Sequence, residues 1–211
     1  MNYEAKNFER LLGTVGFSDV LLRNHFTLYE GYVSNTNKIH GFLKTADVGT
    51  PPYSELKRRF GWEWNGMRLH ELYFGNMIKG GSDLLSSRQR VFAKGLKHAG
   101  SESADSVLFA KKIEEDFGSV ENWEKDFRAT GAMRGIGWVV LACDTETGKL
   151  FNLWINEHDG GHLVCTEIIL VMDVFEHAFA LDYGIKRADY ISAFWNAIDW
   201  QVVSARFLAV K

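Results

Sequence analysis

Between Ile168 and Leu181 the chain sets a carboxylate four residues ahead of an imidazole, Asp173-Val-Phe-Glu-His177, inside an otherwise apolar segment. Charge among apolar residues needs a partner, so any fold must either bury this pair with one or turn it to solvent. A metal ion would use both groups. Hard carboxylate oxygen with imidazole nitrogen suits iron, manganese or zinc better than soft copper(I). Taken alone, the spacing also fits an Asp–His hydrogen bond or a pair on a helix surface, and those readings stay open at this point.

The pattern divides the chain into a helical front and a mixed back. From Ser18 to Leu43 apolar residues recur at three- and four-residue spacing (Val20, Leu21, Phe26, Tyr29, Val33), which predicts one long amphipathic helix ended by Pro51-Pro52. A second long helix carrying His70 is expected from Tyr53 to Lys79, irregular at its start through Gly61 and Gly66 and stopped by Gly80-Gly81. Two long helices joined by a short turn make an antiparallel hairpin. Shorter helices follow from Ser82 to Leu96, from Ser103 to Phe117 and from Ser119 through Phe127. At Gly135 the period changes. Ile136–Cys143 and Lys149–Ile155 are strand-like runs around a hairpin turn, and Leu163 to Val171 supplies a third strand. Helical spacing returns from Tyr190 to Val210. The expected class is α+β: a helical hairpin domain over 1–81, then a domain over 82–211 with a three-stranded antiparallel sheet surrounded by helices.

Composition narrows the function without naming it. A chain of 211 residues with 46% hydrophobic content buries a sizeable core. Its net charge of −3 argues against a nucleic-acid binder, which carries a basic excess. The first residues lack the apolar core of a signal peptide, and no apolar run approaches the ~18 residues of a membrane span, so a cytoplasmic location is expected. Cys143 and Cys165 match no ligand-pair spacing and read as small buried hydrophobes.

Beyond His177 the chain continues Leu181-Asp-Tyr183, Arg187-Ala-Asp-Tyr190, Phe194-Trp-Asn196 and Trp200. The whole run resembles the C-terminal signature of the iron/manganese superoxide dismutase family, D-x-(W/F)-E-H-A-x-x-L-D-Y, R-A-D-Y, F-W-N, W. The resemblance implies two further histidine ligands, each on an N-terminal helix. His25 takes the place of the first, with Tyr32 in that of the tyrosine guarding the substrate channel. His70, in Leu69-His70-Glu-Leu-Tyr73-Phe74, resembles the second. In the family eight positions usually separate the first ligand from the tyrosine; seven do here. Seven puts both on one helix face, whereas eight requires a π-bulge. The family also pairs a second histidine on this helix with a tyrosine of the other subunit. Tyr29 and Ala180 stand near those positions, so that bond lacks its usual partners.

The implied activity is disproportionation of superoxide to dioxygen and hydrogen peroxide at one iron or manganese ion per subunit, iron preferred, held by His25, His70, Asp173 and His177. Zinc has no redox chemistry and does not fit. In the family a glutamine or histidine touches the metal's solvent, from the helical half or from the sheet. The helical position, four before the second ligand, is Gly66, which donates nothing; at the sheet position stands His158, with His162 its rival in the same loop. His40 and His98 read as solvated. Glu176 resembles the glutamate bonded to the ligand histidine of the opposite subunit, which implies a homodimer, possibly assembled further. Trp138 and Tyr73 match aromatic positions around the metal, while Phe74 and Phe175 replace frequent tryptophans. Arg187 would steer the superoxide anion. Two other readings compete: a metal-free structural or interaction protein on the same fold, and a mononuclear iron oxygenase, whose facial triad needs only two of the three histidines.

Overall fold

A computed structural model describes residues 2–79 and 104–210. Helix α1, Asp19–Leu43, begins where the Ser18 side chain accepts the amide of Leu21. Its buried residues, Leu21, Leu22, His25, Tyr29, Tyr32, Val33, Thr36 and Ile39, form one stripe at helical spacing. No π-turn interrupts α1, so the seven-residue step from His25 to Tyr32 keeps both on the buried face. Helix α2, Pro51–Gly75, departs from expectation at both ends. The prolines do not end α1, which stops at Leu43; they open α2, because the first helical positions need no N–H donor. Gly61 and Gly66 sit in regular helix, and the helix stops at Gly75 rather than Lys79, where buried Asn76 turns the chain out. Contacts of Asn35 with Glu63 and of Tyr29 with Glu71 show the two helices running antiparallel.

Helices α3, Ala104–Phe117, and α4, Val120–Gly131, follow; α4 is capped by Ser119 and runs a turn beyond Phe127. The helix expected over Ser82 to Leu96, His98 and the 81/82 boundary all lie outside the described residues. Strands β1 Gly137–Asp144, β2 Leu150–Asn156 and β3 Thr166–Asp173 form an antiparallel sheet in the order β2-β1-β3. The class is therefore the expected α+β. Strand β3 starts later than Leu163. Val164 is 90% exposed, and Cys165 takes a positive φ of 60° in the turn before the strand. Cys165 is accordingly exposed, contrary to expectation, with its carbonyl accepting the amide and hydroxyl of Thr145; Cys143 on β1 is buried.

After β3 come a 3-10 turn, Glu176–Ala178, and helices α5 Ala180–Tyr183, α6 Arg187–Asn196 and α7 Trp200–Ala209. The last helical stretch is thus two helices, separated where the Asp199 side chain accepts the amides of Gln201 and Val202 and starts α7 anew. Among the described residues, no helix is long and apolar enough to cross a membrane.

Candidate metal centre

Four elements converge on one point. His25 comes from the buried stripe of α1, His70 from the facing side of α2, Asp173 from the last position of β3, and His177 from the 3-10 turn that follows. Pairing of Trp138 with Asp173 at the end of the β1–β3 ladder sets the carboxylate where the sheet meets the helical hairpin. One ligand-capable atom from each of the four residues lies within 4.8 Å of the others. Three of the residues are buried, and the His177 side chain is 27% exposed.

The Nε2 atoms of His25 and His177 each stand 3.1 Å from Asp173 Oδ2, a distance at which a neutral imidazole donates. His70 is different. Its Nδ1 lies 2.6 Å from the Gly66 carbonyl, which can only accept, so the proton sits on Nδ1 and Nε2 carries a bare lone pair. That buried Nε2 has no hydrogen-bond partner, and it faces Asp173 Oδ2 at 3.7 Å. Two acceptors facing one another in a buried pocket repel; a cation between them turns repulsion into attraction. A proton does not serve. Burial above all, and then the neighbouring His25, pushes the His70 pKa well below the ordinary imidazole value. Burial likewise lowers the pKa of His25, against the pull of Asp173. Asp173 goes the other way: burial opposes its ionisation, but the adjacent His177 and hydrogen bonds from His177 and His25 hold its carboxyl well below the usual range. Three neutral imidazoles and one carboxylate fit a hard or borderline divalent or trivalent metal ion.

The surroundings hold the carboxylate and histidines in place. Asp173 Oδ1 accepts the Phe175 amide at 2.8 Å, and its carbonyl accepts the Tyr190 hydroxyl at 2.6 Å. Tyr190 in turn meets the hydroxyl of buried Tyr73 at 3.1 Å. Phe74 stands edge-on to His25, Trp138 edge-on to His70, and Phe175 stacks on His177, with centroids 4.8, 4.9 and 5.1 Å apart. Tyr73, its ring centroid 5.4 Å from that of His25, and Trp138 are thus aromatic neighbours of the cluster.

Beside the cluster lies a hydrogen-bonded pair, Tyr32 and His158, both buried. Trp138 Nε1, which can only donate, points at His158 Nδ1 from 3.0 Å. Nδ1 is therefore bare, the proton of neutral His158 is on Nε2, and Nε2 donates to Tyr32 Oη at 2.8 Å. The Tyr32 hydroxyl is thereby an acceptor toward His158, and its own proton remains for the pocket. Its ring stacks on His70 at 5.1 Å. Burial first, then the charges of Asp173 and Glu63, raises the Tyr32 pKa, so the hydroxyl stays protonated at neutral pH. Burial lowers His158 to about 4. His162 is not in this pair: its Nε2 contacts the His158 carbonyl at 2.9 Å.

Other predicted residues lie further out. Glu176 is exposed on this chain. Arg187 donates to the carbonyls of Met133 at 2.7 Å and Gly135 at 2.8 Å, which ties the segment before β1 to α6. Tyr29 donates to Glu71 at 3.1 Å within the chain, and His40 is exposed. Two roles escaped the sequence reading. Gly66 supplies the carbonyl that fixes the His70 tautomer and leaves room for the Tyr32 ring. Trp62 packs edge-on to His158 at 4.4 Å and donates Nε1 to Glu157 at 3.1 Å. The i, i+4 relation of Gly66 to His70 was a signal for the first; Trp62 carried none.

Residues 105–206 match the C-terminal domain of iron/manganese superoxide dismutases. Over 200 residues the chain is 35% identical to an iron superoxide dismutase of Cupriavidus metallidurans, covering 92% of this chain and 90% of that one. It is 32% identical to an iron superoxide dismutase of Aquifex pyrophilus, covering 97% and 90%. A manganese superoxide dismutase of Haloferax volcanii is 32% identical, over 89% and 85%. The chain belongs to the iron/manganese superoxide dismutase family. Its activity is the disproportionation of superoxide, and its cofactor is a single iron or manganese ion. With the His/Asp cluster complete, the metal-free alternative has no support.

Proposed function

We propose that His25, His70, Asp173 and His177 together hold the ion, iron in preference to manganese, and that Tyr32 and His158 manage protons beside it. The observation that carries this reading is the bare, partnerless Nε2 of His70 facing a carboxylate oxygen. When bound, the ion supplies a one-electron couple that one superoxide reduces and the next reoxidises. The residues supply the rest. Asp173 offsets part of the cation's charge, and the Nδ1 bond of His70 aims its Nε2 inward. Peroxide formed from superoxide must gain two protons, and the Tyr32 hydroxyl, fixed by His158 Nε2–H, is placed to hand one on from Oη. Trp138, by donating to His158 Nδ1, keeps His158 in the tautomer that makes this possible. The aromatic neighbours Phe74, Phe175 and Tyr73 keep the pocket dry.

The same reading includes a homodimer in which exposed Glu176 reaches the other subunit's histidine ligand, Arg187 as a positive charge favouring an anionic substrate, division into a helical domain over 1–81 and a mixed one over 82–211, and a cytoplasmic location. Metal analysis with a superoxide-decay assay on the wild type, His25→Ala and His70→Ala tests it. One iron or manganese per chain, with activity lost in both variants, is expected; full metal content and normal activity in His25→Ala would sink the assignment.

A further inference from the structure

The end of α2 makes contacts that the metal cluster does not use. Asn76 is wholly buried just beyond the helix. Its Oδ1 accepts the amide of Val171, in mid-β3, at 3.0 Å and Nη1 of Arg206 at 3.3 Å. Its Nδ2 donates to the Tyr73 carbonyl at 2.9 Å, and its own carbonyl accepts the Asp199 amide at 2.9 Å. Arg206, on α7, also donates Nη2 to the Leu72 carbonyl at 2.9 Å and Nη1 to the Ile169 carbonyl at 3.3 Å.

Arg206 is a partly buried charge. Burial pushes its pKa down to about 10, and among the described residues no carboxylate forms an ion pair with it. The last carbonyls of a helix carry partial negative charge, which is what Arg206 meets at the end of α2. A side chain on Gly75 would come within 2.9 Å of Nη2, so the position is kept clear for the guanidinium. Three elements, α2, β3 and α7, therefore share one amide and one guanidinium.

We infer that Asn76 and Arg206 are positioning residues for the metal centre, forming a strut that sets the separation of His70 from Asp173 and with it how firmly the ion is held. This rests on the reading of those two residues as ligands. Asn76 follows His70 by six residues, ~9 Å along a helix. Val171 precedes Asp173 by two, ~7 Å along a strand. No hydrogen bond between their side chains spans the 3.7 Å from His70 Nε2 to Asp173 Oδ2, so the relative placement of α2 and β3 decides that gap. The strut is where the two elements are tied by a buried side chain.

Asn76→Leu, Arg206→Met and Asn76→Asp, each prepared metal-loaded and metal-free, test the inference. In the first two, metal passes to a chelator ~10-fold faster or more, and the rise in Tm on metal loading shrinks. Asn76→Asp keeps an oxygen for the Val171 amide and for Arg206 and loses only the bond to the Tyr73 carbonyl, so both quantities stay nearer the wild type than in Asn76→Leu. Should Asn76→Leu fail to fold, Arg206→Lys, which keeps the charge and loses the fork, gives the same two readings. Equal loss of Tm with and without metal, at an unchanged release rate, overturns the strut and leaves a purely structural contact. Full metal binding by His70→Ala overturns the ligand reading, and the strut with it.

Discussion

Gly66 and Tyr32 compete for one space: a Cβ on Gly66 would lie 2.6 Å from Cδ1 of the Tyr32 ring. The ring lies where it does because α1 continues without a bulge and presents Tyr32 on the face of His25, directly against α2. A glycine at position 66 is thus the counterpart of the seven-residue spacing on the other helix.

Gly66→Ala should therefore push the Tyr32 ring away, breaking its stack on His70 and its 2.8 Å bond with His158. We expect a loss of about 1–3 kcal/mol in stability from overpacking and turnover lower by ~10-fold or more with a proton donor displaced. Metal content should stay near one per chain. Thermal unfolding, metal analysis and superoxide decay on the same preparation check all three.

Removing the metal should destabilise the fold. An ion present at ~1,000 times its Kd contributes about 4 kcal/mol. Chelator-treated wild type should melt lower and recover on adding iron or manganese, while His70→Ala should show no metal-dependent rise in Tm. A full rise in that variant would remove His70 from the ligand set.

His158 should give the metal-free protein an acid-sensitive contribution. Its folded pKa of about 4 lies below the ordinary 6.5, so the unfolded chain binds the extra proton first as pH falls. The stabilisation is complete above pH 6.5 and is lost as pH drops through about 4, amounting to about 3 kcal/mol. His158→Gln, which can accept from Trp138 and donate to Tyr32 without titrating, should lack this component. Denaturant unfolding between pH 4 and 7 should give a shallower slope for the variant; identical slopes would place His158 in solvent.

Trp62→Phe keeps the ring against His158 and removes the Nε1 bond to Glu157, a residue held at a φ of +50°. Loss of that bond should cost about 1 kcal/mol. Amide exchange in the 157–162 loop should accelerate while exchange in β1 stays slow.

Glu176→Ala should weaken self-association and loosen His177. Sedimentation across a range of protein concentrations should show a dimer for the wild type and a shift to monomer for the variant. A wild-type protein that sediments as an active monomer excludes the bridging role.

Helical periodicity made much of the centre legible in the sequence. A seven-residue step puts His25 and Tyr32 on one face, and a β-rich run ending at Asp173 hands its carboxylate to the turn that carries His177. Apolar spacing likewise marks both long helices and the strands to within a few residues. Terminal positions were less legible, since Pro51-Pro52 can close one helix or open the next, and only the packing of α2 against α1 chooses. The break between α6 and α7 and the exposure of Cys165 depend on capping and turn geometry that the apolar pattern does not carry. Tertiary structure alone decided that the bare Nε2 of His70 faces Asp173 Oδ2, that Trp138 dictates the tautomer of His158, and that Arg187 is tied to carbonyls before β1. Each of these depends on a donor or acceptor brought from far along the chain. A hydrogen bond is set by distance and direction in space, and until α2, β1 and β3 are packed together neither exists.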